Sequence, residues 1–128
     1  MNDIENLKCW FNGKFCQLKD VHISILDFGF IHSDATYDVM RSRNGRILNF
    51  QLHQERFLKS CNYFDFQSVA NLREIGERLL EENQIDEGFV WVCVWRGRPP
   101  SGNPREANVP QNSVVYVKPY YGLKSTND

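Results

Sequence analysis

Six arginines fall into two groups whose spacing suits an anion. Arg41, Arg43 and Arg46 bracket the dipeptide Asn44-Gly45, and Arg96, Arg98 and Arg105 frame the stretch Pro99-Pro100-Ser101-Gly102-Asn103-Pro104. A guanidinium offers a planar fork of donors that matches phosphate or carboxylate, so clustered arginines point to an anionic small molecule; the bland alternative is a pair of solvated turns. The acids gather elsewhere, between Glu74 and Glu87. The thiols carry less information. Cys9, Cys16, Cys61 and Cys93 form no close C-x-x-C pair, and His22, His32 and His53 lie far from them in sequence. That spacing argues against a zinc site and for reduced thiols in a cytoplasmic protein.

The elements that must position these residues follow from periodicity. Trp10-Phe11-Asn12-Gly13-Lys14-Phe15 reads as a hairpin, because Asn-Gly accepts the two positive φ angles of a type I′ turn. Asn44-Gly45 repeats the device between residues 36–40 and 46–48. Helical spacing begins at Asn49, a candidate N-cap, with Phe50, Phe57, Leu58, Cys61 and Phe64 in one stripe and His53, Arg56 and Lys59 beside it. A second helix is expected after Ser68, burying Val69, Leu72, Ile75, Leu79 and Leu80. Phe89-Val90-Trp91-Val92-Cys93-Val94-Trp95 is apolar throughout and predicts a strand covered on both faces. The segment from Arg96 to Arg105 is too long for a tight hairpin and reads as a functional or partner-ordered loop. A final strand is expected from Ser113 to Val117. Grouped strands with helices to one side give an α+β domain, an antiparallel sheet with two helices packed on it.

Composition sets the outer bounds. The chain has 128 residues, 41% hydrophobic and 24% charged, with a net charge of −1. One domain of this size buries roughly two thirds of its unfolded surface and needs no metal or disulfide staple. The near-neutral balance supplies no field to attract nucleic acid or an anionic membrane, and apolar runs of about eight residues are too short to cross a bilayer.

Several motifs in order then carry a resemblance. Trp10-x-Asn12-Gly13-x-Phe15, followed by Ile23-Ser24-Ile25-Leu26-Asp27-Phe28-Gly29-Phe30, resembles the opening of the class IV aminotransferases. These are the pyridoxal-phosphate enzymes of fold type IV, which include branched-chain and D-amino acid transaminases and aminodeoxychorismate lyase. The stretch His32-Ser33-Asp34-Ala35-Thr36-Tyr37-Asp38-Val39 is similar to the (R)-selective amine:pyruvate transaminases; many other members have Glu where Asp38 stands. His53-Gln54-Glu55-Arg56-Phe57-Leu58-Lys59-Ser60 resembles the family's His-x-x-Arg-x-x-x-Ser helix, and Phe89 to Gly97 its strand leading into Arg-Gly. The likeness spans roughly residues 9 to 121, and several motifs in sequence are specific.

The resemblance implies that Arg56 holds the phosphate of pyridoxal 5′-phosphate, with His53 one turn back on the same face. It implies that Tyr37, Val39 and Phe89 line the substrate pocket, with Ala35 on the same strand face, and that His32 shapes the entrance. Trp91 and Trp95 are bulkier than the family leads one to expect. An arginine on the loop after Arg96-Gly97 would read the carboxylate of the keto-acid acceptor. Arg98 and Arg105 both sit there; Gly102, which lets the distal half fold back, favours Arg105. The lysine that carries the cofactor, and the acid that pairs with its pyridine nitrogen, come in this family from a second domain. None of Lys8, Lys14, Lys19, Lys59, Lys118 and Lys124 lies in such a motif. Residues 1–121 are therefore expected to be the N-terminal domain of a transaminase, 122–128 a tail or the start of a linker, with the C-terminal lysine-bearing domain absent. Such a chain holds no catalytic residue and should be inactive alone. Its expected partners are an amine or amino acid, a keto acid, the missing domain and, in the complete enzyme, a second copy. No nucleic acid, membrane or metal is expected. The alternative is a truncated, non-catalytic relative that binds an anion or a protein.

Overall fold

The structure, a computed structural model, describes residues 4–103, 105–106 and 108–121. Six antiparallel strands form one sheet: β1 (Lys8–Phe11), β2 (Lys14–Gln17), β3 (Ala35–Arg43), β4 (Arg46–Ile47), β5 (Gly88–Arg96) and β6 (Gln111–Pro119), in the order β2-β1-β6-β5-β3-β4. Both expected hairpins are present. Asn12 and Gly13 have φ of 49° and 93°, and Asn44 and Gly45 have 54° and 73°, as a type I′ turn requires.

Two helices, α2 (Phe50–Tyr63) and α3 (Leu72–Glu82), contribute to a core that the sheet shares. The sheet gives Met40, Val90, Val92, Val94, Val115 and Val117, and the helices give Phe57, Cys61, Leu72, Leu79 and Leu80. Full burial of such a side chain stabilises by about 1.5–3 kcal/mol each. Two details of the helices differ from expectation. Leu58 is exposed, because a stripe wide enough to include it exceeds the arc that faces the sheet. The second helix begins at Leu72, four residues after Ser68; Val69 is buried from the preceding turn. Asn49 and Asn71 both precede their helices in the left-handed region, at φ of 54° and 57°, and neither side chain caps the helix. Each asparagine serves as the backbone corner, a conformation it tolerates better than most residues.

β5 is covered fully on one face only. Val90, Val92 and Val94 are buried against the helices, while Phe89, Trp91 and Cys93 on the other face are only half-buried. Trp95 is the exception, and a short helix that the sequence reading does not anticipate explains it. That helix, α1 (Phe28–Ile31), crosses the open face at the Trp95 end. Its approach is so close that a Cβ on Gly29 would stand 2.6 Å from the Trp95 Cβ. The Trp95 indole N–H donates to Asp27 Oδ2 at 3.0 Å in a buried contact. The motif Asp27-Phe28-Gly29-Phe30 thus works as an anchor: an acceptor for the indole, then a residue without a side chain where the ring passes.

Trp95→Phe should therefore leave the Asp27 carboxylate buried without its donor, at a cost of about 1–3 kcal/mol read as a lowered urea midpoint. An unchanged midpoint would mean that α1 holds its place without this bond.

Candidate functional site

β4 pairs with Ser42 and Arg43, and the Leu48 N–H donates to the Arg41 carbonyl, so residues 35–40 of β3 form an open edge of the sheet. Side chains leave a strand alternately to its two faces. Asp38 is buried and points to the helix side, with Met40 and Ser42; Ala35, Tyr37 and Val39 point to the opposite side. A ligand lying along this edge would meet both sets.

On the helix side, Asp38 organises the expected phosphate arginine. Its side chain is 3% exposed, and its two oxygens accept from Arg56 Nε at 2.8 Å and Arg56 Nη2 at 2.6 Å. His53 Nδ1 lies 3.0 Å from Asp38 Oδ1 and 3.1 Å from Arg56 Nη2. A protonated Nδ1 donates to the Asp38 carboxylate, and a bare one accepts from Arg56 Nη2, so either tautomer keeps His53 within this cluster. Burial alone would raise the Asp38 pKa; the hydrogen bonds and charges of Arg56 and His53 outweigh it and hold the carboxyl below its ordinary 3.8. The hydrogen bond to Asp38 also raises Arg56 above its usual value.

Arg56 itself is 66% exposed. One edge of its fork is committed to Asp38, and Nη1 makes no hydrogen bond among the described residues. An incoming anion therefore meets the end of the guanidinium that carries Nη1. That donor set fits a phosphate: it is positively charged, rigidly aimed and open to solvent.

On the other face the aromatic residues form a row. Tyr37, 61% exposed, stacks on Trp91 with centroids 5.5 Å apart, and Trp91 stacks on Tyr116 at 5.7 Å. Lys118 Nζ lies 4.9 Å from the Trp91 ring centroid. Val39 is directly opposite Trp91, and Phe89 packs on Tyr120 at 5.6 Å. Tyr37, Val39 and Phe89 therefore share one face, with Val39 and Phe89 on adjacent strands. A hollow of about 440 Å³ opens beside this row, with Ala35, Cys93, Trp95, Val114 and Tyr116 on the sheet and Gly29 and Phe30 across it. Phe28 and Ile31 of the same short helix line a second hollow of about 500 Å³, whose far wall includes Arg98, Pro99 and Pro100. His32 is exposed at the end of α1, its ring stacked on Phe28 at 4.7 Å.

The loop arginines divide into distinct roles. Arg96 ends β5, and its guanidinium is committed within the chain: Nη2 donates to the Phe64 carbonyl at 3.0 Å, Nε lies 3.4 Å from Asp34 Oδ2, and the group sits over Phe66. It is not part of a ligand-reading loop. Arg98 borders the second hollow. Arg105 is exposed, and its backbone N–H donates to Asn103 Oδ1 at 3.0 Å. The loop is also tied to itself, since Ser101 donates to Glu106 Oε2 from both its N–H and its hydroxyl. The other arginine group is likewise engaged: Arg41 lies over Tyr120, Arg43 near Glu87 and Arg46 near Glu77. Pro104 and the segment 122–128, with Lys124, lie outside the described residues.

Sequence reading does not pair Asp38 with Arg56, although a signal exists. A carboxylate alternating with Met40 on a strand's inward face must find donors, and His53 and Arg56 lie on the next helix. No helix among the described residues is long and apolar enough to cross a membrane, and among them no cluster of His, Cys, Asp and Glu could hold a metal ion.

This fold is found in solved transaminases. A branched-chain amino acid aminotransferase from T.th., solved with pyridoxamine 5′-phosphate, superposes with a TM-score of 0.76 at 17% identity, over 98% of this chain and 44% of that one. The model of the family described as amino-transferase class IV matches residues 35–126, and the chain belongs to that family. It corresponds to the family's N-terminal region. The D-alanine aminotransferase of Staphylococcus aureus strain MSSA476 is 32% identical over 93 residues, covering 70% of this chain and 33% of that protein. The D-alanine aminotransferase of Staphylococcus epidermidis strain ATCC 12228 is 30% identical over 125 residues, covering 91% and 44%. The chain thus spans between a third and just under half the length of these relatives.

The Asp38 shift carries a pH signature. Because its folded pKa lies below the unfolded value, the contact stabilises the fold at and above the ordinary 3.8 and is lost as pH falls through the lowered folded value. Wild type should exceed Asp38→Asn in urea midpoint at pH 7, and the gap should close only well into the acid range. A gap that is absent at pH 7 would show that the buried carboxylate does not hold α2 to β3.

Proposed function

We propose that this chain supplies the phosphate arginine and part of the substrate pocket of a transaminase that moves an amino group between an amine or amino acid and a keto acid. The observation that carries this reading is Arg56, fixed by a buried carboxylate and presenting the unused end of its fork to solvent, in a chain of the class IV family. Bound there by its phosphate, pyridoxal 5′-phosphate would supply the aldehyde and electron-withdrawing ring that amino transfer requires. Everything else assigned to this chain is binding and shaping. Asp38 and His53 orient Arg56. Tyr37, Val39 and Phe89 wall the donor side, and His32 stands at the entrance beside Phe28.

The lysine that performs proton transfer is assigned to sequence beyond residues 1–121, in a C-terminal domain. Lys8 lies near Glu82 and Lys118 over Trp91, so both are engaged away from Arg56. The complete enzyme is taken to be a soluble homodimer, with the aromatic face of the sheet covered by protein that this chain does not contain. D-Alanine aminotransferases among the relatives make a D-amino acid the first donor to try, and the His32–Val39 stretch makes an (R)-amine the second.

Of the two loop arginines, Arg98 borders a hollow beside α1, so the acceptor carboxylate is assigned to Arg98 in preference to Arg105. A charge on a loop suits a pocket that must accept one partner with a carboxylate and another without it.

In the complete enzyme, Arg56→Ala should weaken cofactor affinity roughly ten- to a hundredfold by equilibrium dialysis, and Arg56→Lys should recover only part, since an ammonium cannot replace the fork. Unchanged affinity would remove Arg56 from the phosphate site. In the same enzyme, Arg98→Ala should raise the KM for pyruvate at least tenfold more than that for an amine lacking a carboxylate. Equal effects on both, or a selective loss with Arg105→Ala instead, would withdraw the assignment.

A further inference from the structure

The hairpin formed by β1 and β2 holds a feature that amino transfer does not use. Cys9 and Cys16 are direct cross-strand partners, and their Sγ atoms lie 3.7 Å apart. We propose that Cys9 and Cys16 are a reversible oxidation site, closed to an intramolecular disulfide by low-molecular-weight disulfides of the glutathione type.

Geometry is the main support. Directly opposed residues of antiparallel strands have Cα atoms about 4.5–5.5 Å apart, inside the span of about 4.4–6.8 Å that a disulfide bridges. The sulfurs need only approach by side-chain rotation, with no movement of the backbone. The register cannot slip, because the Asn12-Gly13 turn closes the hairpin on one side and the Leu18 N–H donates to the Leu7 carbonyl on the other. Asn83 adds a clamp: its Oδ1 accepts from the Lys8 N–H and its Nδ2 donates to the Lys8 carbonyl. The two thiols are thus held at high local concentration. No other two thiols are in contact among the described residues.

Exposure orders the chemistry. Cys16 is half-exposed on the edge strand β2, whereas Cys9 is fully buried. The Cys16 thiolate attacks one sulfur of the small disulfide, whose S–S bond breaks and releases one thiolate. Cys9 then loses its proton and attacks the Cys16 sulfur, expelling the second small thiolate. Two protein thiols are oxidised by two electrons, one small disulfide is reduced to two thiols, and both protons end on those thiols. Burial, then the contact with Cys16, pushes the Cys9 pKa up to about 12, so the second step quickens as pH rises.

The test is a peptide map of the folded chain after incubation with excess oxidised glutathione and trapping of remaining thiols with iodoacetamide. Trypsin cuts after Lys8, Lys14 and Lys19, so a bridge yields peptides 9–14 and 15–19 joined by one disulfide. The expected result is that joined pair, lost on dithiothreitol treatment, with alkylation of Cys9 and Cys16 reduced at least tenfold and that of Cys61 and Cys93 unchanged in the denatured digest. Cys93→Ser should leave the bridge intact. Full alkylation of both residues, arrest with glutathione on Cys16, or a bridge that recruits Cys61, Cys93 or a second chain would overturn the proposal. The wild-type map decides the matter even if a cysteine variant fails to fold.

Discussion

A carboxylate buried between a strand and a helix is the constraint on which the functional arrangement rests. Asp38 is buried where an isolated charge would be costly, and it is tolerated because Arg56 donates to both its oxygens, with His53 beside it on the same turn of α2. The same contact ties α2 to β3 and fixes the direction of the guanidinium. Arg56 would otherwise be a long, exposed side chain with many rotamers. Tied along one edge, it has surrendered that entropy during folding, and an anion binding at the other end has less left to order.

The second constraint is the two-sidedness of β5. Its valines are spent on the core shared with α2 and α3, and its aromatic residues are spent on a face that this chain leaves largely open. A row of stacked rings that includes an exposed Tyr37 is a large apolar surface for one domain to present. In the proposed enzyme this face and the Arg56 side meet along the open edge of β3. That edge explains how neighbours in sequence, such as Tyr37 and Asp38, can serve one ligand from opposite faces.

Much of the fold is legible in the sequence because its signals are local. Asn-Gly demands positive φ, and apolar residues at helical spacing demand an inward face; hence both hairpins, both long helices and the order of the main strands along the chain can be read. What escapes is either short or tertiary. α1 has four residues, too few to show a period, and only the ring of Trp95 beneath it explains why Gly29 stands there. β5 reads as doubly covered because composition reports apolarity and not what covers it. Arg96 looks like a ligand residue beside Arg98, yet the Phe64 carbonyl and the Phe66 ring that occupy it lie some thirty residues away in the chain. Arg56 can be found by motif, but its partnership with Asp38 requires the packing of helix on strand. The opposition of Cys9 and Cys16 is in principle available, since a two-residue turn at Asn12-Gly13 dictates which residues face each other.

The central claim is that Arg56 meets the cofactor phosphate through its Nη end while Asp38 keeps the Nε edge. The most direct measurement is nitrogen-15 NMR of the Arg56 guanidinium in the complete enzyme, with and without pyridoxal 5′-phosphate. The account predicts that the Nη resonances shift on binding while the Nε resonance stays at its Asp38-bonded position. An Nε resonance that moves as far as the Nη signals would mean that Asp38 releases the arginine, and no shift at all would mean that the phosphate binds elsewhere.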